Sequence, residues 1–135
     1  GQENNFMPCF MAKPYSDMPG CSGHLHQSLA CLDSGKNLFY DENDANNMSD
    51  LFKHYVAGQL HCLPKILPMF CPTVNSYKRL VEGFWAPVEA TWGVENRTSS
   101  LRVITGGPKS TRLETRIPGA DANTYFSIAG SIASG

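Results

Sequence analysis

The chain lacks the features that mark membrane, secreted or zinc-binding proteins. No apolar run approaches the roughly 20 residues that a membrane-spanning helix needs, and the N-terminus lacks the basic, apolar and small-residue order of a secretory signal. The five cysteines are odd in number and form no C-x-x-C pair, which argues against a disulfide framework or a thiolate zinc site. We therefore expect a cytoplasmic protein with reduced, mostly buried thiols.

Internal repeats, low-complexity tracts, linkers and a glycine-rich phosphate loop are also missing. The 135 residues and their ordinary apolar content allow one modest domain. The sequence begins with Gly1 and ends in SIAGSIASG, a small-residue helical pattern with no stop signal after it. We expect residues 1–135 to be part of a longer protein, truncated at both ends.

The hydrophobic periodicities predict an α+β domain. A turn at Asp33 to Gly35 predicts a hairpin over residues 24–40. Strand-like alternation occurs in five segments: residues 6–14, 24–32, 91–94, 100–104 and 112–117.

Two helices are predicted as well. Ser49 can cap the first, which Pro64 and Pro68 should end, and Asp121 can cap the second, over residues 122–133. Their apolar positions should face the core, namely Leu51, Phe52, Tyr55, Val56 and Leu60 in the first helix and Phe126 and Ile128 in the second.

Charge is unevenly distributed along the sequence. Acidic residues outnumber lysines in residues 1–74, whereas residues 75–116 carry all five arginines. An arginine fork binds a carboxylate or phosphate through two parallel hydrogen bonds, so the cluster predicts an anionic ligand and favours a phosphorylated one. The basic residues are interleaved with His24 and Glu114 rather than with stacking aromatics, which argues against a nucleic-acid-binding module.

Two short motifs place several polar groups on one face of a strand. His24 and His26 are two residues apart, as are Arg112, Glu114 and Arg116. By itself, H-x-H is more often a pair of satisfied or solvated histidines than a metal site. The second motif by itself favours a surface salt-bridge ladder over a functional site.

Five ordered segments form a far more specific pattern: GCSGHLHQSL, NSYKRLVEGFWAPV, WGVENRTSSLR, PKSTRLETR and PGADANTY. Together they resemble the catalytic domain of the glutamine synthetase family, of type I, from Phe6 to Gly135. The resemblance implies an antiparallel β-sheet with flanking helices. It covers only the C-terminal part of that domain, so the family's upstream β-grasp-like domain and most of its metal-binding glutamates are expected outside residues 1–135.

The resemblance implies an ATP-dependent glutamate–ammonia ligase. In that reaction ATP phosphorylates the side-chain carboxylate of glutamate, and ammonia displaces phosphate from γ-glutamyl phosphate. The implied ligands are glutamate, ATP, ammonia or an amine, and Mg²⁺ or Mn²⁺, with no nucleic acid and no membrane. A homo-oligomeric ring is implied for the full-length protein. The 135-residue chain alone is expected to be inactive.

Motif positions also transfer the family's site residues to this sequence. The implied metal ligands are His24 and Glu114. The implied catalytic residues are Arg79, Arg97 and Arg116, and the implied substrate-binding residues are Gly20, Arg79 and Arg116. The implied ATP-binding residues are His26, Ser28, Arg97, Arg102, Lys109 and Arg112.

One loop departs from the family pattern. Ammonia-using members read approximately YKRLVPGYEAP, and their glutamate covers the site and helps to deprotonate ammonium. The present loop reads YKRLVEGFWAP, with Trp85 at the glutamate position and Glu82 where proline is usual. Tryptophan cannot act as a base, but its ring attracts a cationic amine by about 0.5–2 kcal/mol. This departure leaves open a γ-glutamyl ligase that uses an organic amine. A non-catalytic structural relative is a separate alternative; such a protein should have lost metal or phosphate ligands, which this sequence retains.

Overall fold

A four-stranded mixed sheet and three α-helices make up the computed structural model, which describes all residues from 1 to 135. The strands are β1 (Leu25–Gln27), β2 (Trp92–Val94), β3 (Leu101–Ile104) and β4 (Arg112–Thr115). The helices are α1 (Asp50–Phe70), α2 (Val74–Arg79) and α3 (Thr124–Ser134). The α+β prediction is confirmed.

The sheet has the order β1-β4-β3-β2 and is not wholly antiparallel. β4 pairs antiparallel with both β1 and β3, whereas β2 and β3 run parallel. Two consecutive strands can run parallel only if the chain between them returns to the end of the sheet at which the first strand began. Residues 95–100 make that return, beginning at Glu95 with a φ of 52°. The expectation of an antiparallel sheet is therefore corrected at β2.

The hydrophobic core lies between α1 and one face of the sheet. Phe52 and Val56 of α1 belong to the same buried cluster as Leu101, Val103 and Leu113. Because side chains alternate along a strand, the residues between these core positions point to the opposite face. His26, Glu114 and Arg102 lie side by side there, since the strand register pairs Glu114 with both of the others.

Helix α1 begins at the predicted cap but continues past both prolines. Ser49 Oγ accepts a hydrogen bond from Phe52 N at 3.1 Å. Pro64 and Pro68 lie inside the helix and are both exposed. They are four residues apart on one solvent-facing side, so the missing N–H groups do not disturb the packed side. The prediction that the prolines end the helix was wrong, and Leu51 is exposed rather than core.

Of the first two predicted strand segments, only the second contains a strand, β1. Residues 6–14 form no strand, because no neighbouring strand pairs with them; Lys13 N donates instead to Asn75 Oδ1 at 2.9 Å. The hairpin over residues 24–40 is reduced to a turn with one bridge between Ala30 and Asn37. β1 pairs with β4 rather than with the second arm of that hairpin.

Helix α3 is capped by Asn123, not by Asp121. Asn123 Oδ1 accepts hydrogen bonds from the N–H groups of Tyr125 and Phe126, the second and third residues of the helix. Asp121 Oδ2 accepts instead from the hydroxyls of Thr73 and Ser76, which form the capping box of α2.

Small residues of α3 face α1, and its large apolar residues face outward. Ser127, Gly130 and Ser131 are buried. A Cβ at Gly130 would lie 3.2 Å from Met69 Sδ, so the two helices approach too closely for larger side chains. Phe126 and Ile128 are therefore exposed, and their expected packing role was wrong.

All five cysteines are free thiols, but only Cys71 is buried. Cys9 and Cys21 are exposed, so the expectation of mostly buried thiols was also wrong. None of the helices combines the length and the apolar character that a membrane-crossing helix requires.

Candidate active site

Glu114 is the centre of a charged cluster on the sheet face opposite the core. Its Oε1 lies 2.9 Å from His24 Nδ1 and accepts a hydrogen bond from Arg116 Nη1 at 2.8 Å. Its Oε2 accepts from Arg102 Nη1 at 3.0 Å. Glu114 is only 3% exposed, so this motif is a buried network and not a surface salt-bridge ladder.

The surroundings of this cluster shift two pKa values. Burial lowers the pKa of His24 to about 4, and the positive charges of Arg116 and Arg79 add to this effect against the opposing influence of Glu114. Burial alone raises the pKa of Glu114, but the hydrogen bond from Arg102 and the charge of Arg116 outweigh it and hold the pKa below its usual value. A neutral imidazole therefore faces an ionised carboxylate.

Arg79 ends α2 and is buried beside His24. Its Nη1 donates to the carbonyl of Ile117 at 2.9 Å, and its Nη2 lies 3.3 Å from both His24 Nε2 and the carbonyl of Arg116. Gly20 is adjacent, since a Cβ there would lie 2.9 Å from Arg79 Cγ and 2.3 Å from the Ala12 carbonyl oxygen. The close approach of these atoms explains why only glycine fits at this position.

Arg116 connects the cluster to the loop that carries Trp85. Its Nη2 donates to the Trp85 carbonyl at 3.4 Å. Its Nε is buried and has no hydrogen-bond partner. A buried donor without a partner is costly, so this N–H is available to an oxygen atom of a ligand.

His26 and Arg112 form the edge of the cluster. Arg112 Nε donates to His26 Nδ1 at 3.1 Å, and its Nη1 donates to the Ser110 carbonyl at 2.8 Å. His26 Nε2 lies 3.8 Å from Glu114 Oε1. His26 thus lies next to Glu114, and Arg112 is joined to Glu114 through His26.

Three predicted site residues lie outside this cluster. Ser28, Arg97 and Lys109 are exposed, and none makes a hydrogen bond or ion pair to a residue of the cluster. Lys109 lines a separate polar cavity of about 560 Å³ together with Lys36, Tyr40 and Asp41. The structure therefore brings together His24, His26, Arg79, Arg102, Arg112, Glu114 and Arg116, with Gly20 beside Arg79.

The family model described as glutamine synthetase, catalytic domain, matches residues 1–135. The chain belongs to the glutamine synthetase family. It is 62% identical over 129 residues to type-1 glutamine synthetase 2 of Dictyostelium discoideum, covering 96% of this chain and 25% of that protein. It is 44% identical over 126 residues to a gamma-glutamylethanolamide synthetase of Streptomyces coelicolor, covering 93% of this chain and 26% of the relative.

A third relative is a glutamate–isopropylamine ligase from a Pseudomonas species, which is 40% identical over 93% of this chain and 27% of the relative. The chain thus spans about a quarter of the length of the curated relatives it matches. These relatives are named as synthetases or ligases, one of them for an ethanolamide and one for isopropylamine.

Members of the glutamine synthetase family use ATP and divalent metal ions, and two residues of the cluster fit such an ion. Two adjacent ligands of an octahedral Mg²⁺, each about 2.1 Å from the ion, lie about 3 Å apart. His24 Nδ1 and Glu114 Oε1 are 2.9 Å apart. No group of three or more His, Cys, Asp or Glu side chains in the structure has the geometry to hold a metal ion, so this pair fits part of a coordination sphere.

Sequence reasoning missed two contributors to this candidate site. Glu95 accepts hydrogen bonds from Arg102 through Oε2 and from Thr105 N through Oε1. Lys13 is buried, donates to the Met18 carbonyl, and lies 3.8 Å from the ring centre of Phe84 in the Trp85 loop. The contact of Glu95 with Arg102 follows from the parallel pairing of β2 with β3, and nothing in the sequence around Lys13 predicts its contact with residue 84.

Proposed function

We propose that the full-length protein is a cytoplasmic, ATP-dependent ligase that activates the side-chain carboxylate of glutamate and transfers the γ-glutamyl group to nitrogen. The observation that carries this proposal is the buried cluster around Glu114, which combines one carboxylate, two imidazoles and several arginines in a single site. Phosphoryl transfer depends on positioning and on neutralising spread negative charge, and a cluster of this composition suits both needs.

The proposed reaction has two steps, a phosphoryl transfer and an acyl transfer. A carboxylate oxygen of glutamate takes the γ-phosphoryl group of ATP, and ADP leaves. The nitrogen nucleophile then attacks the acyl carbon, the bond to the phosphate oxygen breaks, and the nitrogen loses a proton. Both steps develop negative charge on oxygen, which fixed guanidinium groups stabilise without reorganisation.

The clustered residues divide these tasks. Arg116 offers its unpartnered Nε to an oxygen of the glutamyl group, and Arg102 and Arg112 neutralise phosphate oxygens of ATP. Arg79 and Gly20 lie together at the position proposed for the substrate carboxylate. Lys109, Arg97 and Ser28 remain proposed contacts to ATP, which require the exposed side chains to turn toward the nucleotide.

Mg²⁺ or Mn²⁺ fits between His24 and Glu114, with the remaining ligands supplied from outside residues 1–135. A bound divalent ion would neutralise phosphate charge during transfer. Both residues present are suited to it, since the imidazole is neutral and the carboxylate is ionised at neutral pH. We propose that the 135-residue chain alone is inactive, and that the full-length protein is a homo-oligomeric ring.

Ammonia is the acceptor that the family resemblance favours, and the loop around Trp85 supports an organic amine as a second candidate. Trp85 has a φ of 60°, its side chain is 69% exposed, and its carbonyl is bound by Arg116. The indole lines a cavity of about 370 Å³ together with Glu82, Val88 and Thr98. An aromatic face beside a carboxylate suits a primary ammonium group with an organic substituent.

The test is phosphate release by the full-length protein with glutamate, ATP and Mg²⁺, with ammonia or one of a panel of primary amines as acceptor. We expect acceptor-dependent phosphate release and a γ-glutamyl product of the matching mass. A matched Glu114→Gln variant, which keeps the shape of the side chain, should lose this activity. Absence of acceptor-dependent phosphate release with every acceptor would refute the ligase proposal and favour the non-catalytic alternative.

A further inference from the structure

The guanidinium of Arg79 and the imidazole of His24 are in direct contact. Arg79 Nη2 lies 3.3 Å from His24 Nε2, while His24 Nδ1 lies 2.9 Å from Glu114 Oε1. Arginine only donates hydrogen bonds, so Nε2 must accept in this contact. A neutral imidazole has one donor and one acceptor, so Nδ1 carries the proton and donates it to Glu114.

This arrangement uses both ring nitrogens of His24, so the ring can bind a metal ion only after it gives up one of these two contacts. If Nε2 bound a divalent ion, the ion would take the lone pair that now faces Arg79. If Nδ1 bound the ion beside Glu114, its proton would have to leave, and the neutral ring would carry its proton on Nε2. An N–H at Nε2 cannot accept from Arg79, and Arg79 has no acceptor to offer it. Either mode of metal binding ends the contact.

We propose that Arg79 is a positioning residue that holds His24 while the metal is absent and gives up this contact when His24 binds a divalent ion. The inference rests on the proposed function, because it takes His24 as a metal ligand. The guanidinium itself does not move away, since Nη1 still donates to the Ile117 carbonyl and Nη2 to the Arg116 carbonyl. It loses one of three contacts and becomes able to bind an anion.

This exchange couples the metal to an anionic substrate. A carboxylate bound to Arg79 favours the state in which Arg79 no longer donates to His24. That state is the one that binds the metal. By linkage, each ligand then strengthens the binding of the other by the same factor. Glutamate should therefore raise the affinity for the metal through Arg79, without any contact between glutamate and His24.

Mn²⁺ binding to the full-length protein, followed by electron paramagnetic resonance with and without glutamate, tests the inference. In the wild type, glutamate should lower the Kd for Mn²⁺. Arg79→Met should lower the Kd without glutamate by about 3- to 10-fold, the equivalent of one ordinary hydrogen bond, and should abolish the effect of glutamate. Arg79→Lys, which keeps the charge but cannot hold two carbonyls and an imidazole, should shift the Kd in the same direction.

The matched control is Arg112→Met, because Arg112 contacts His26 Nδ1 at 3.1 Å in the same way. It removes an equal charge from the cluster without freeing His24. If both Arg79 variants, shown to be folded by circular dichroism, change the Kd for Mn²⁺ no more than Arg112→Met does, the inference is refuted while the proposed function stands. If His24→Ala leaves Mn²⁺ binding intact, the metal assignment in the proposed function fails, and the inference with it.

Discussion

The hydroxyl of Thr115 donates to Gln59 Oε1 at 3.1 Å, on the opposite face of β4 from its neighbour Glu114. The same hydroxyl accepts from Gln27 Nε2 at 3.0 Å, and Gln27 Oε1 accepts from Tyr55 at 2.8 Å. This chain of hydrogen bonds joins α1 to β1 and β4. Because those two strands place His26 and Glu114 side by side, the network fixes the register on which the charged cluster depends.

Replacing Thr115 should therefore destabilise the fold. Thr115→Val keeps the shape of the side chain but leaves Gln59 Oε1 and Gln27 Nε2 without their partner, at a cost of about 1–3 kcal/mol. The free energy of unfolding in urea measures this effect. Thr98→Val is the control, since that exposed hydroxyl donates only to Asn96 within its own loop. Equal effects of the two substitutions would contradict a structural role for the network.

Removing the charge of Glu114 should impair both folding and metal binding. Glu114→Ala leaves Arg102 and Arg116 without their buried anion, which costs about 3–5 kcal/mol. Glu114→Gln should cost less, because the amide oxygen still accepts one hydrogen bond. Both variants should weaken Mn²⁺ binding more than about tenfold. Glu95→Gln is the control, since Glu95 shares Arg102 but lies outside the metal pair; loss of Mn²⁺ binding there would argue for a general charge effect.

The residue at position 85 should decide which acceptor is used. Trp85→Glu supplies a carboxylate that can take a proton from ammonium, so the ratio of kcat/KM for ammonia to that for an organic amine should rise about tenfold or more. Trp85→Gln is the matched control, because it removes the indole without adding a base. Trp85→Gln should lower kcat/KM for the organic amine and should not raise kcat/KM for ammonia. Glu82 and Glu89 line one cavity and are the nearby carboxylates that could supply the base in place of position 85. Efficient use of ammonia by the wild type, retained in Glu82→Gln and Glu89→Gln, would contradict this interpretation of the loop.

Lys13 should restrain the loop that carries Trp85. Its ammonium lies over the Phe84 ring, a desolvated arrangement that stabilises by about 2 kcal/mol. Lys13→Met should therefore increase deuterium uptake by backbone amides of residues 82–86 in hydrogen-exchange mass spectrometry. Lys36→Met, at an exposed turn, should leave that uptake unchanged. Unchanged uptake in both variants would show that the loop is held by other contacts.

The Cys71 thiol should make stability depend on pH in the alkaline range. Burial raises its pKa to about 11, from 9.0 for an unperturbed thiol. Between these values the unfolded chain releases the thiol proton and the folded chain keeps it, so the unfolded state binds fewer protons and stability falls as pH rises. Urea unfolding at pH 8, 9 and 10 should show a shallower decline for Cys71→Val than for the wild type. The exposed Cys21→Val should follow the wild type, and a parallel decline in all three proteins would contradict the assignment.

Several elements could be predicted because their signals are local. Ser49 and the helical spacing after it predicted the start of α1, and alternation in residues 100–104 and 112–117 predicted β3 and β4. A helix cap and a hydrophobic period involve residues that are close together in the sequence, so the elements they mark can be predicted from it. The end of α1 was not readable, since Pro64 and Pro68 are tolerated only because both face solvent, which depends on what packs against the other side.

The candidate site also has features that the sequence predicts and features that depend on packing. The ordered motifs by themselves determined the family. The resemblance that they carry named the residues of the cluster, but also Ser28, Arg97 and Lys109, which lie outside it. Only the tertiary structure decided the contacts between motifs: Arg79 reaches His24 from 55 residues away, and Lys13 pairs with Asn75 across 62 residues. Such contacts depend on how strands pair and helices pack, which no single segment encodes. For that reason the bonding of Asp121 to the capping box of α2, instead of to the start of α3, could not be predicted, and neither could the partners of Arg79.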